Sequence, residues 1–183
     1  MKPKGVVLSL VLALFLFLAC GCGKKAKKGP EISVKRVESL TVAYASHQGS
    51  YEALPKVFQE IMAWIQQEGL QVAGPPMGIY YNDPQTVAPE DLRWEVQWPI
   101  VPPKGKEGKG EVKIKTTKPI EVAFTIHRGP YDQVGKSYDR LKKWIGENGY
   151  RISGPARSIY LSNPNSVPPE SLRTEIQFPV VKR

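Results

Sequence analysis

Hydrophobic and polar residues alternate from Ser39 to His47, a stretch that carries the strand formers threonine, valine and tyrosine, and this period of two predicts a strand. Gly49-Ser50 ends it. Beyond the break the period lengthens: Leu54, Phe58, Ile61, Trp64 and Ile65 recur at helical spacing and form one apolar stripe. A helix is therefore expected from near residue 51, with acidic Glu52 in its first turn and Gly69 at its end. Pro55 lies early enough in this helix to be tolerated. Two strands follow, Met77 to Asn82 and Leu92 to Ile100, separated by a loop that Pro84 and Pro89 punctuate. The unit reads strand, helix, strand, strand.

The same pattern returns at a constant offset. Val42 to Val101 lies over Val122 to Val181 without a gap, with about 23 of roughly 60 positions identical. His47 repeats as His127, Gly49 as Gly129, Tyr51 as Tyr131, Trp64 as Trp144, Tyr80 as Tyr160, Glu95 as Glu175 and Gln97 as Gln177. In the second copy Pro130 and Asp132 open the helix, Tyr138, Leu141, Trp144 and Ile145 carry the stripe, and Gly149 closes it. Identity spread this evenly indicates two copies of one folded unit.

Alternation assigns faces. Trp94, Val96 and Trp98 point one way and Arg93, Glu95 and Gln97 the other; Ile176 and Phe178 likewise oppose Arg173, Glu175 and Gln177. The apolar sets need the helical stripes to cover them. By the same reasoning Ile79 with Tyr81, and Ile159 with Leu161, are expected in the core, which leaves Tyr80 and Tyr160 on the polar face. One such unit is marginal at its size, so the expected architecture is a single α+β domain of two tandem βαββ modules, related by a pseudo-twofold axis, with their polar faces across a shared groove. Module 1 spans 38–101 and module 2 spans 119–182, with a linker over 102–118.

The ordered motifs His127-Arg128-Gly129-Pro130-Tyr131, Tyr160-Leu161-Ser162-Asn163-Pro164 and Pro169-Glu170-Ser171-Leu172-Arg173-Thr174-Glu175 resemble those of GyrI-like small-molecule-binding domains, which also serve as effector-binding domains of AraC-type and MerR-type regulators. The resemblance covers about residues 38 to 182. It implies a pseudo-symmetric α+β domain with a ligand in the groove between modules. It further implies a bulky, aromatic, cationic ligand set against a glutamate on the last strand of the second module, here Glu175. The residues fit that chemistry independently, because a partly desolvated carboxylate beside aromatic rings is compensated by a ligand cation. Glu175, Glu95, Tyr160 and Tyr80 supply these parts, with Gln177, Tyr131, Tyr51 and Trp144 as further candidate ligand contacts. The bland reading makes Glu95 and Glu175 ordinary ion-pair partners on a solvated sheet face.

Other chemistry is sparse. His47 and His127, beside glycines at strand ends, suit backbone-bonding turn roles better than a metal site, and no cofactor is expected. Trp64 and Trp144 lie on helical stripes and are expected mainly in the core. No nucleophile elbow, phosphate loop or triad is present, so a binding protein is expected before an enzyme. Some GyrI-like relatives hydrolyse strained cyclopropane compounds, which leaves a hydrolase as an alternative. Similarity in fold to the SOUL family raises haem binding as another, and docking of an envelope protein is a third.

The N-terminus adds a location. Lys2 and Lys4 precede an apolar run from Val6 to Ala19, suited to a secretory signal peptide over 1–19. Leu18-Ala19-Cys20-Gly21-Cys22 resembles the lipobox of bacterial lipoproteins, with Cys20 the expected acylated residue and Cys22 the alternative. These are the only cysteines in the chain. Lys24, Lys25, Lys27, Lys28 and Gly29-Pro30 then read as a flexible tether over 20–37. The expected setting is a lipid-anchored protein of the cell envelope, on the outer membrane or the outer face of the cytoplasmic membrane. The net charge of +9 is partly concentrated in the tether and in Lys104, Lys106 and Lys109, which discourages a nucleic-acid partner.

Overall fold

The computed structural model describes residues 31–105 and 108–183. The expected signal peptide, Cys20, Cys22 and the lysine-rich start of the tether lie outside them. Among the described residues no helix is long and apolar enough to cross a membrane.

Each copy builds as its periodicity dictates. In the first, β2 (Thr41–Gln48) ends at Gly49, whose φ of 119° turns the chain, and Ser50 Oγ accepts the Glu52 amide at 3.2 Å to start a 3₁₀ turn, Tyr51–Ala53. Helix α1 (Leu54–Gln67) continues from it with Pro55 in its first turn, where a missing N–H has no intrahelical acceptor to lose. The helix stops at Gly69, φ 64°, where the Leu70 amide donates to Ile65 O at 2.9 Å. Strands β3 (Met77–Tyr80) and β4 (Arg93–Pro99) complete the module. The second copy repeats this as β6 (Ile120–Arg128), α2 (Gly135–Glu147), β8 (Ala156–Tyr160) and β9 (Arg173–Lys182), with a short β7 (Tyr150–Ile152) added beside β9.

The modules join through two short strands. β3 pairs antiparallel with β8, Gly78 opposite Ser158 and Tyr80 opposite Ala156, so the two sheets become one. Trp94 and Val96 pack under α1 with Val57, Ile61 and Ile65; Ile176 and Phe178 pack under α2 with Leu141 and Ile145. Those face assignments match the alternation.

Two strands fall where tether and linker were expected. β1 (Ser33–Val37) lies within 20–37 and β5 (Lys113–Thr116) within 102–118. They extend the repeat, since the same offset places Glu31 on Glu111 and Lys35 on Lys115. They are also exchanged: β1 pairs with β6 of the second copy, and β5 with β2 of the first. The order β1-β6-β9-β8-β3-β4-β2-β5 thus sets β1 at one end of the path and β2 next to the other. Laid flat, β1 and β2 would stand six strand spacings, roughly 29 Å, apart, whereas the connection through residues 38–40 reaches at most roughly 14 Å. The sheet must therefore curl; the amide of Leu40 donates to Thr117 Oγ1 at 3.0 Å and the amide of Thr117 to Leu40 O at 2.8 Å, which carries the β2–β5 pairing into the two connections that cross between its ends. The curl runs away from the helices and gives the helix-free face an interior of its own, where Val42, Met77, Ile79 and Ile159 are buried.

Because the sheet is continuous, the two cores should melt together. Ile61 and Leu141 are equivalent and fully buried, so Ile61→Ala and Leu141→Ala are each expected to cost about 2–5 kcal/mol in denaturant unfolding, through one cooperative transition in both variants. Two resolved transitions would mean that the modules fold as separate units.

Candidate functional site

An open groove of about 1340 Å³ runs between α1 and α2 over the joined β3 and β8. Its floor is set by register. Tyr80 stands opposite Trp94, and Ile79 opposite Glu95, so the tyrosine shares the helix side with the tryptophan while the isoleucine shares the far side with the carboxylate. Tyr160 opposite Thr174 and Ile159 opposite Glu175 repeat this. The expected faces of these strands are therefore reversed. Tyr80 and Tyr160 lie on the groove side, Ile79 and Ile159 are buried on the far face, and Tyr81 and Leu161 are 45% and 40% exposed. The expectation that apolar residues lie under helices fails at β3 and β8 because the curled sheet buries apolar side chains on both faces.

Across the pseudo-twofold axis Tyr80 Oη and Tyr160 Oη are hydrogen-bonded at 2.6 Å. Aromatic rings surround the pair: Tyr51 meets Tyr80 edge-on at 5.2 Å, Tyr131 meets Tyr160 at 5.6 Å, and Phe58 reaches from α1 to Tyr160 at 5.2 Å and to Trp98 at 6.1 Å. From α2, Tyr138 packs on Phe178 at 5.7 Å and bonds Ser158 Oγ at 2.8 Å. Burial raises the Tyr80 hydroxyl well above its usual pKa, helped by the neighbouring Tyr160, and raises Tyr160 to about 12. Both are neutral donors at physiological pH. Tyr51 Oη, Trp98 Nε1 and Thr174 Oγ1 are buried in this wall with no hydrogen-bond partner among the described residues. The groove therefore offers π faces for a ligand's bulk and polar atoms for its orientation.

The copies differ here. Gly78 answers to Ser158, and a Cβ at Gly78 would collide with the Tyr80 hydroxyl, so the glycine makes room for that ring. Lys142, whose counterpart is Met62, bridges the groove to Asp83 at 2.7 Å, and this contact, with the Gln85 amide, holds the Asp83 carboxyl below its usual range. Asp139 lies on the same rim.

Of the sequence candidates, Tyr51, Tyr80, Tyr131 and Tyr160 meet in the groove. Glu95, Glu175, Gln97, Gln177 and Trp144 do not line it. Both glutamates lie on the curled interior face, where exchanged strands neutralise them. Lys115 from β5 bonds Glu95 at 2.5 Å and Lys35 from β1 bonds Glu175 at 2.6 Å, with Gln97 and Gln177 donating to the same carboxylates. Neither glutamate therefore faces the groove between α1 and α2, and both hold the helix-free face that the alternation gave them. Trp144 stacks on Tyr150 at 6.2 Å beside the second core. His127 takes the turn role: its Nε2 donates to Pro130 O at 3.1 Å, so Nδ1 accepts from Ser137 Oγ at 3.0 Å. His47 instead packs on Trp94 at 4.6 Å. Among the described residues no cluster of histidine, cysteine or acid could hold a metal. Phe58, Trp98, Tyr138, Ser158 and Thr174 were missed as site residues; the signal for the first and third was their aromatic character at one repeated stripe position, two helical turns beyond Tyr51 and Tyr131.

Burial pushes the Glu95 carboxyl up, but Lys115, Gln97 and Tyr81 together outweigh it and hold the pKa below the usual value. The stabilisation is present above the unfolded pKa, about 4.3, and is lost as pH falls through the lower folded value. Urea unfolding as a function of pH should show this loss in the wild type and a flatter acid limb in Glu95→Gln. Identical acid limbs would remove Glu95 from the acid response.

The sequence profile of the GyrI-like small molecule binding domain family matches residues 30–181. A DNA gyrase inhibitor of Erwinia billingiae is 28% identical over 137 residues, 71% of this chain and 84% of that protein. The fold is that of the EcmrR C-terminal domain, with a TM-score of 0.76 at 20% identity over 84% of this chain and 99% of that one. Of the longer EcmrR chain seen in its complex with DNA, this chain spans 58%. SAV2435, solved bound to tetraphenylphosphonium, has a TM-score of 0.52 at 13% identity, over 82% of this chain and 94% of that one.

Proposed function

The chain belongs to the GyrI-like small molecule binding domain family, and from that premise we propose that the groove between α1 and α2 receives a bulky aromatic ligand, preferentially a cation. The observation that carries this reading is the ring set around the Tyr80–Tyr160 pair, in a groove with room for a bulky ligand. A cation held by such rings gains about 0.5–2 kcal/mol from their faces, and Asp139 at the rim adds negative charge. The fold's likeness to a tetraphenylphosphonium-bound protein is consistent with this preference. Glu175, engaged by Lys35, serves the fold in this reading and not the ligand.

The same reading sets the receptor outside the cytoplasmic membrane, tethered through an acyl chain on Cys20 or Cys22. Its support is the sequence, Leu18-Ala19-Cys20 after an apolar run. Labelled palmitate should enter the expressed protein and be lost in Cys20→Ser; label lost only in Cys22→Ser would move the anchor to that residue.

Binding is tested by titrating tetraphenylphosphonium and neutral triphenylphosphine oxide while following melting temperature and tryptophan fluorescence. At about 100 times its dissociation constant a ligand adds about 2.7 kcal/mol of stability. Tyr131→Ala and Tyr160→Phe probe the wall and the axial hydroxyl. Tyr131→Ala should weaken the cation by roughly tenfold, and Glu175→Gln should leave its affinity unchanged. Equal affinity for the neutral compound would sink the cation preference, and no saturable binding of either would sink the groove as a receptor for this class.

A further inference from the structure

On the helix-free side the curled sheet forms a second cavity of about 720 Å³, open to solvent. It is bounded by Ile79 and Arg157 from the central strands, by Arg36 of β1 and by Lys118 of the connection between β5 and β6. Arg157 is only 6% exposed. It stands in β8 between Ile79 and Gln177. Its counterpart in the first copy is Met77, and the two touch across the pseudo-twofold axis, Arg157 Nη2 to Met77 Sδ at 3.5 Å. A thioether is a weak acceptor, and this is the one hydrogen bond of the guanidinium among the described residues.

The carboxylate that acts on it at a distance, Glu175, is already bonded to Lys35 and Gln177. Burial lowers the arginine's pKa, with Glu175 opposing, yet arginine remains charged at any physiological pH. The cavity thus holds a largely buried cation without a bonded counter-charge, which an anion entering from solvent would complete. Its surroundings are basic. Arg36 is paired with Glu38 and Lys115 with Glu95, Lys118 adds a further cation, and Glu121 is the one acid in the described lining. A matching acceptor is present too. Gln97 Nε2 donates to Glu95 Oε2 at 2.9 Å, which fixes the amide's orientation and leaves buried Oε1 without a partner.

We infer that this interior cavity is a second binding site, for a small oxyanion of the carboxylate or phosphate monoester class, held by Arg157 and Lys118, with a ligand hydroxyl donating to Gln97 Oε1. Arginine's planar fork suits either anion, because both present paired oxygens. The site stands on the opposite face from the aromatic groove and does not depend on the function proposed for it. The second copy has an arginine where the first has a methionine, so the anion site belongs to one position on the axis and is not duplicated.

The test titrates inorganic phosphate and citrate into the full chain in detergent at constant ionic strength, with chloride as control, following melting temperature and the Arg157 Nε–H resonance. Wild type should show saturable stabilisation and a moving Arg157 signal. Arg157→Met, which installs the first copy's own residue, should weaken that binding by roughly tenfold or more, and Lys118→Met by less. Tetraphenylphosphonium titrated into the same variants reports the groove separately, so failure of one site is not mistaken for failure of the other. Should Arg157→Met not fold, Arg157→Lys, which keeps charge without the fork, should bind the anion more weakly than wild type. Saturation by phosphate alone assigns the phosphate class, and by citrate alone the carboxylate class. No saturable effect beyond chloride in the wild type, or undiminished affinity in a folded Arg157 variant, overturns the inference.

Discussion

The pairing of β3 with β8 across the pseudo-twofold axis is the contact on which the rest depends. These strands are only four and five residues long, yet they turn two marginal βαββ units into one sheet and bring both helices to the same side. Each residue on the axis then has a double function, because it meets its own repeat counterpart. On the helix side Tyr80 meets Tyr160, and on the other Met77 meets Arg157. One backbone ladder thereby produces two environments, an aromatic groove and a basic interior, separated by the thickness of a sheet.

Charge follows the same division. The carboxylates of β4 and β9 lie inside the curl, where lysines from the exchanged edge strands neutralise them, and cation–π contacts of those lysines with Tyr44 and Phe124 add to their confinement. The groove is left with neutral phenols at its floor and charge only at its rim, in Asp139 and the Asp83–Lys142 bridge. Low charge at the floor suits polarizable aromatic surface, and sparse charge at the rim suits selection by sign.

Much of the fold was legible because it is written twice. The strand, helix, strand, strand order, both helical stripes and the faces of Trp94, Val96 and Ile176 follow from period and offset alone. The edge strands were not legible: Ser33–Val37 shares only Lys35 with Lys113–Thr116, and its lysine and arginine read as part of a solvated tether. At the site the tyrosines emerged but their face did not. Ile79 and Tyr80 are adjacent, and either could point to the core; only the register with Trp94 and Glu95 decides, and register is a long-range property that alternation within one strand does not contain. The glutamates hold the helix-free face that alternation gave them, but one strand alone does not show that this face becomes an interior once the sheet curls.

The exchanged edge strands tell how such a chain can be divided. A fragment carrying one copy alone would hold a strand whose partner lies only in the other copy, and an open edge on its own first strand waiting for one. It could satisfy neither by itself. Two identical fragments could satisfy both, each lending its leading strand to the other around a true twofold axis, with two tyrosines meeting where Tyr80 and Tyr160 now do. The duplicated chain is in this sense a covalently joined dimer, and the join is what freed its halves to differ, so that a methionine on one side of the axis could become an arginine on the other.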